Sequence, residues 1–144
     1  MTINYNEPIT FGRGGNAADL NCSGIDFSED GGRSWTLGSV AELDIQLPFA
    51  RQDVEVQVEA SPFLVPEVLP AQNVFIFLGG LFVGYYTLKG HSVRSFPVNR
   101  SVVSGRTTRL SLVIPTATSP RALVLSEDLR ELGIYLTSIT FKTT

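Results

Sequence analysis

Apolar and polar residues alternate with a period of two along three stretches of this chain. The stretches are residues 41–47, 53–60 and 109–114. This spacing puts the apolar side chains on one face of a strand, whereas it would scatter them around a helix. The three segments are therefore predicted to be half-buried strands with one solvated face.

A fourth segment, residues 74–78, is apolar at every position, with the sequence VFIFL. This pattern predicts a central strand that is covered on both faces. Gly79 and Gly80 separate it from residues 81–86, which are also rich in strand-forming residues. Two glycines between such runs are typical of a tight β-hairpin, because the favoured turns need positive φ angles.

The C-terminal region contains one more strand and the only helical candidate. Alternation in residues 134–141 changes phase midway, which predicts a β-bulge near Thr137 and Ser138. Residues 126–132 are the helical candidate, with a serine cap, acidic residues in the first turn and Gly133 as the stop.

About nine short strands, separated by regular turn signals, predict an all-β fold. We expect an antiparallel two-sheet β-sandwich of the jelly-roll type, with at most one short helix near the C-terminus. The length suits a single domain over residues 1–144, and a content of 43% apolar and 17% charged residues is typical of a globular protein.

Charge and composition disfavour several classes of partner. The net charge is −3 and the basic residues are scattered, so neither nucleic-acid binding nor attachment to an anionic membrane is expected. The longest apolar stretch, residues 74–86, is interrupted by glycines and is too short for membrane insertion. A single cysteine, Cys22, cannot form an intrachain disulfide, and a cytoplasmic location is expected.

No constellation of catalytic residues is evident in the sequence. His91 is the only histidine, and a solvated loop histidine is the simpler interpretation. Neither a nucleophile elbow, a zinc-binding H-E-x-x-H motif nor a phosphate-binding loop occurs. We therefore predict no catalytic residue and no enzymatic activity.

One loop resembles half of a calcium-binding loop. Asp26, Ser28 and Asp30 alternate before Gly31, as oxygen ligands do in an EF-hand. The expected glutamate is replaced by Leu37, so calcium is only a weak candidate and no other cofactor is predicted. The alternative is a polar turn whose side chains bond their own backbone.

Aromatic and polar residues supply the candidates for ligand binding. An exposed ring can lie against the apolar face of a sugar while neighbouring polar groups bind its hydroxyls. Core packing is the alternative for every ring, and adjacent tyrosines in a strand must point to opposite faces. The candidate ligand-binding residues are Glu29, Asp30, Arg33, Trp35, Tyr85 and Tyr86.

Two distant segments carry complementary charges before core strands. If their loops meet, Glu29 and Arg130 could form a bidentate pair that ties the two ends of the chain together. In this alternative, much of the first segment is structural, and Trp35 packs at the end of the sandwich.

Four segments together resemble a known family. They are GIDFSEDGGRSWTLGSVAELDIQLP at residues 24–48, QNVFIFLGGLFVG at 72–84, SPRAL at 119–123 and DLRELGI at 128–134. The order resembles a bacterial β-sandwich accessory domain, similar to a carbohydrate-binding module, of the kind appended to glycosyltransferases and polysaccharide-assembly proteins. The resemblance implies a galactose-binding-like jelly roll without catalytic activity.

The resemblance implies a carbohydrate-binding accessory module in bacterial polysaccharide synthesis or glycosyl transfer. Its expected partner is a saccharide or the catalytic domain of a glycosyltransferase. The alternative is a structural module that docks a catalytic domain or forms a homo-oligomer and binds no sugar.

Overall fold

The computed structural model describes residues 2–123 and 125–143, and this part of the chain contains ten β-strands and two short 3₁₀ turns. The 3₁₀ turns are Asn16–Asp19 and Arg100–Val102. The strands are β1 (Pro8–Thr10), β2 (Cys22–Ser23), β3 (Ser34–Leu37), β4 (Val40–Gln46), β5 (Val54–Pro62), β6 (Gln72–Leu78), β7 (Leu81–Leu88), β8 (Ser92–Val98), β9 (Thr107–Val113) and β10 (Leu132–Thr143).

The strands form two antiparallel sheets, which confirms the predicted all-β sandwich. Sheet A has the order β2-β4-β9-β6-β7. Sheet B has the order β1-β10-β5-β8, and β3 pairs with the first residues of β10. Because β10 pairs with three other strands, it is the centre of sheet B.

The core lies between the inner faces of the two sheets. Inward positions of the alternating strands have almost no solvent exposure, while the positions between them are half-buried or exposed. Complete burial of one aliphatic side chain contributes about 1.5–3 kcal/mol, so this face holds the sheets together. Its members include Leu43, Ile45, Val56, Val58, Leu110, Leu112, Ile134 and Phe141.

The predicted hairpin and bulge are both present. Gly79 and Gly80 have φ angles of 59° and 80° and connect β6 to β7. The pairing of β10 with β5 shifts register between Leu136 and Ser138, where the sequence changes phase. In both places local sequence chemistry decides the backbone geometry.

The predicted helix at residues 126–132 is wrong. This segment is irregular, and Leu132 already begins β10. The Ser126 hydroxyl accepts the N–H of Asp128, and the Asp128 carboxylate accepts the N–H of Arg130. Such side-chain bonds compete with the helical ladder for the same donors. Across residues 2–123 and 125–143, no helix has the length and apolar character needed to cross a membrane.

Phe96 of β8 closes the open side of the sandwich against β7. Its ring lies 5.4 Å from the ring of Tyr86, and the Arg94 guanidinium covers both rings. Gly84 leaves the space for this contact, because a Cβ there would lie 2.3 Å from Cδ1 of Phe96.

Gly84→Ala is expected to destabilise the protein by about 1–3 kcal/mol, since the added methyl group overpacks the contact with Phe96. Gly90→Ala is the matched control, because a Cβ at Gly90 meets no atom within 4 Å and its φ is not positive. Urea unfolding of both variants measures the difference. Equal stabilities would show that Phe96 moves away without cost.

Candidate functional site

The outer face of sheet A carries two rows of side chains that run across the strands. Strand register places one side chain each from β4, β9, β6 and β7 in each row. We call this surface the aromatic face. The first row is Val40, Val113, Phe75 and Tyr85, and the second is Glu42, Ser111, Phe77 and Phe82.

Four rings form the β6–β7 half of the aromatic face. The Phe75 and Tyr85 centroids lie 4.7 Å apart at an interplanar angle of 41°, and those of Phe77 and Phe82 lie 5.7 Å apart at 68°. Tyr85 and Phe82 are 46% and 60% exposed. The rings support one another at their edges and still present surface to solvent.

A bulge in the hairpin explains why Phe82 belongs to this face. Strict alternation from outward-facing Tyr85 would turn Phe82 toward the core. The register shifts after Ile76, so that Phe77 pairs with Phe82 and Val83 is left over. Val83 instead packs partly against the core.

Hydrogen-bonding groups flank the rings at one end of the aromatic face. The Tyr85 hydroxyl and the Thr87 hydroxyl each donate to Oδ1 of Asn73 at 3.1 Å. The two hydroxyl oxygens are also 3.1 Å apart. This triangle fixes the phenol and leaves the amide hydrogens of Asn73 for a ligand.

Charged and polar side chains of β4 and β9 lie on the other side of the aromatic face. Arg109 Nε donates to Asp44 at 2.9 Å, and this bond, with a second from Asn21, lowers the pKa of the Asp44 carboxyl. The Ser111 hydroxyl donates to Glu42 at 3.1 Å. Glu42 and Asp44 are therefore oriented acceptors beside the aromatic rings.

Tyr85 and Tyr86 face opposite sides of β7. Tyr85 belongs to the aromatic face, whereas Tyr86 is 3% exposed and packs in the core. Burial raises the pKa of Tyr86 to about 12. Tyr86 is therefore corrected from a ligand-binding candidate to a core residue.

Trp35 lies on the other sheet and cannot share a site with Tyr85. It points outward from β3, where its ring stacks on Tyr135 at 4.4 Å and meets the edge of Phe63 at 6.2 Å. The Arg33 guanidinium lies over the Tyr135 ring at 5.0 Å. The structure separates the predicted residues into two groups with the sandwich core between them.

Arg130 gathers three carboxylates next to this stack. Its guanidinium is bidentate to Asp128 and donates to Asp26 at 2.9 Å and to Glu29 at 3.2 Å. We call these four residues the Arg130 cluster. The predicted contact between Glu29 and Arg130 is present, but the bidentate partner is Asp128. Tyr135 donates to the other oxygen of Glu29 at 2.8 Å, which joins the cluster to the aromatic stack.

The contacts of the Arg130 cluster argue against a calcium site at Asp26, Ser28 and Asp30. Asp26 accepts the N–H of Ser28 at 2.8 Å as well as the Arg130 bond, and these contacts lower the pKa of its carboxyl. Asp30 is exposed and lies 3.7 Å from Arg13. Among the described residues, no group of three histidine, cysteine, aspartate or glutamate side chains is arranged to hold a metal ion. Asp26 is already neutralised by a cation, so the loop fits the polar-turn alternative better.

We expect calcium chloride to leave the melting temperature unchanged, because Arg130 already supplies the positive charge among these carboxylates. Thermal unfolding with millimolar calcium, and with a chelator, tests this expectation. A rise of several degrees with calcium alone would show a metal site in the folded state.

Ser61 and Cys22 both lack the surroundings of a catalytic nucleophile. Ser61 Oγ lies 2.9 Å from Nδ1 of His91, and Glu59 lies 3.0 Å from its Nε2. The order resembles a hydrolase triad, but Ser61 lies within the ladder between β5 and β10 instead of at an exposed turn with oxyanion donors. These bonds attach the β7–β8 turn to β5. Burial raises the pKa of the Cys22 thiol to about 11, which keeps it protonated.

Sequence reasoning missed Phe75, Phe77 and Phe82 as site residues. The apolar run at residues 74–78 predicts that Phe75 and Phe77 are covered on both faces of the strand. Within that run, however, only Val74, Ile76 and Leu78 are fully buried. The outer side of β6 is open to solvent between Asn73 and the hairpin. The available signal was that Asn73 shares one face of the strand with Phe75 and Phe77, because an asparagine on that face indicates contact with solvent.

Three solved structures that resemble this chain are carbohydrate-binding modules. The CBM36-1 domain of a multidomain xylanase from the hindgut metagenome of Trinervitermes trinervoides has a TM-score of 0.57 at 10% identity, covering 96% of this chain and 97% of that one. CsCBM6-3 from Clostridium stercorarium, in complex with cellobiose, has a TM-score of 0.57 at 12% identity, covering 100% and 98%. A β-1,3-glucan-binding CBM6 from Bacillus halodurans has a TM-score of 0.56 at 17% identity, covering 99% and 100%.

No protein-family model matches the chain, and no curated protein sequence is significantly similar to it. At identities of 10–17%, the structural likeness establishes the fold. The chain therefore has the jelly-roll β-sandwich fold of carbohydrate-binding modules.

Proposed function

We propose that this protein is a non-catalytic carbohydrate-binding module whose ligand lies on the aromatic face of sheet A. The observation that carries the proposal is the pair of cross-strand rows, which puts four rings and several oriented polar groups on one exposed surface. This combination of apolar surface and fixed polar groups suits a sugar.

The first row supplies the stacking surface. With neighbouring strands about 4.8 Å apart, four side chains in a row extend over about 14 Å, which is long enough for a short oligosaccharide. Tyr85 is the more exposed of the two rings in this row, and Phe75 packs beside it with the ring centroids 4.7 Å apart. The saccharide chain would run across the strands, with its rings on Tyr85 and Phe75.

Polar groups on both sides of the first row would orient the bound saccharide. Asn73 and Thr87 lie beside the first row, on the side away from the second row, while Glu42 and Ser111 lie in the second row. Donors and acceptors are both present, as the hydroxyls of a neutral sugar require. Arg109 is already bound by Asp44, so the face has no spare cation and favours a neutral saccharide.

The biological setting is part of the same proposal. The sequence resemblance supports an accessory module that works with a glycosyltransferase in bacterial polysaccharide synthesis, in the cytoplasm. The module would hold a glycan near a catalytic domain. It contributes no catalytic residue of its own.

Protein docking is the second candidate function, and the apolar surface favours it. Val40 and Tyr85, at the two ends of the first row, are 41% and 46% exposed, and Phe82 in the second row is 60% exposed. Such contiguous apolar surface also marks protein interfaces. In this alternative a glycosyltransferase domain or a second copy covers the face.

A screen of neutral bacterial polysaccharides, followed by isothermal titration calorimetry, separates the two functions. Saccharide binding by a monomer supports the proposal. A stable dimer in light scattering, with no binding to any glycan, would establish docking instead.

Trp35 fluorescence gives a second measure of location. Because Trp35 is stacked on Tyr135 in sheet B, its emission should not shift when a saccharide binds sheet A. A shift that saturates with the saccharide would move the site to the Trp35 stack.

A further inference from the structure

The loop between β4 and β5 exposes a phenylalanine at the end of the sandwich opposite the Arg130 cluster. Phe49 is 70% exposed, although the next residue, Ala50, is buried. The loop lies near the last residues of β10, whereas Arg130 precedes the first. We call residues 48–52 the Phe49 loop.

Two side chains from other parts of the molecule hold the Phe49 loop in place. The Tyr5 hydroxyl donates to the backbone carbonyl of Pro48 at 2.6 Å. The Arg100 guanidinium donates to the backbone carbonyl of Arg51. Because both flanks are fixed and Ala50 is anchored, the exposed phenyl ring is presented on a preorganised loop.

Two hollows adjoin the exposed ring. One, of about 430 Å³, is lined by Phe49, Ala50, Arg51, Arg100 and Ser101. The other, of about 240 Å³, is lined by the loop residues from Phe49 to Gln52 together with Tyr5 and Thr143. The Phe49 ring thus lines two shallow, open depressions that also carry polar groups.

Arg51 and Arg100 carry positive charge that is not neutralised by a carboxylate of the described residues. Within residues 2–123 and 125–143, neither Arg51 nor Arg100 has a carboxylate within 4.0 Å, unlike Arg109 and Arg130. Both side chains are exposed. Two guanidinium groups without a carboxylate partner in the described part of the chain therefore lie beside the exposed ring of Phe49.

We propose that the Phe49 loop is a second binding site, specific for a saccharide that bears carboxylates. The sugar ring lies on Phe49, and its carboxylate receives charge-assisted hydrogen bonds from Arg51 and Arg100. Ser101 and Gln52 are placed to contact the hydroxyls.

This site differs from the aromatic face in charge and in position. The aromatic face presents carboxylates and suits a neutral saccharide, whereas the Phe49 loop presents cations. The second site therefore stands whether or not the aromatic face binds sugar.

Calorimetry with trigalacturonate and its methyl ester tests the second site, because the two probes share a skeleton and differ in charge. Wild-type protein should bind the acid about tenfold more tightly than the ester, since exposed charge-assisted bonds are modest. Raising the sodium chloride concentration from 50 to 500 mM should weaken the acid complex and leave the ester complex unchanged.

Substitutions then assign the contacts. Arg51→Ala should weaken the acid about tenfold, and Phe49→Ala should weaken both probes. Arg100→Lys keeps the charge and a donor for the loop, so its effect should be smaller than that of Arg51→Ala. Tyr85→Ala should leave trigalacturonate binding intact, which separates this site from the aromatic face.

Three results would overturn the second site. One is equal affinity for the acid and the ester, and another is loss of acid binding in Tyr85→Ala. The third is citrate binding as tight as trigalacturonate binding with no effect of Phe49→Ala, which would indicate a site for free anions and no sugar.

Discussion

Arg130→Met is expected to lower the melting temperature by several degrees. The guanidinium serves Asp26, Glu29 and Asp128, and it is only 35% exposed. Removing it leaves three carboxylates close together without their cation. Partial exposure screens the effect, so we expect a loss of about 2 kcal/mol, or about 4–8 °C, instead of the larger cost of a fully buried pair.

The loss should depend on pH. Hydrogen bonds from Arg130 lower the pKa of Asp128, and bonds from Ser28 and then Arg130 lower that of Asp26. Because the folded pKa values lie below the unfolded value of about 4, this stabilisation is complete near neutrality and disappears as the pH falls through the lowered values. Wild type and Arg130→Met should therefore differ most at pH 7 and converge toward pH 2.

Arg121→Met is the control for the Arg130 variant. Arg121 pairs with Glu127 at 3.1 Å, but the Glu127 side chain is 93% exposed, so its loss should change little. Calorimetric melting from pH 2 to 7 measures all three proteins. If Arg130→Met kept its stability and lost saccharide binding, the Arg130 cluster would be a ligand site and would not stabilise the fold.

Tyr85→Ala is expected to weaken binding of a neutral saccharide about 30-fold, since an exposed ring on which a sugar stacks contributes about 2 kcal/mol. The stability should change little, because the ring is half exposed. Tyr85→Phe keeps the ring and loses only the bonds to Asn73 and Thr87, so its effect should be several times smaller.

Val93→Ala is the control for Tyr85→Ala. It removes an apolar side chain of similar exposure, 50%, from β8 of sheet B, and it should leave neutral saccharide binding unchanged. Titration calorimetry measures all four proteins. If Tyr85→Phe were as damaging as Tyr85→Ala, the hydroxyl rather than the ring would bind the sugar.

Strand positions followed from the sequence because alternation has a direct physical cause. The strands predicted at residues 41–47 and 53–60 correspond to β4 and β5, displaced by one or two residues. The glycine hairpin and the bulge in β10 were also predicted. Each depends on residues that are neighbours along the chain.

The candidate site was less predictable because it depends on pairing between distant strands. The sequence allows Trp35 and Tyr85 to share one site, but the pairing of β3 with β10 places Trp35 on sheet B. Phe77 and Phe82 meet only because of a bulge that the sequence does not signal. The failed helix at residues 126–132 had good caps, but its polar side chains bond their own backbone and a distant arginine instead.

The proposed location of the saccharide is the central claim, and amide chemical-shift mapping tests it most directly. Uniformly ¹⁵N-labelled protein is titrated with the neutral oligosaccharide that binds best in the screen. We predict saturable shifts at β6, β7 and β9, centred on Phe75 and Tyr85, with little change at Trp35 and Tyr135. Shifts centred on the Trp35 stack, or none on sheet A at saturation, would contradict the account.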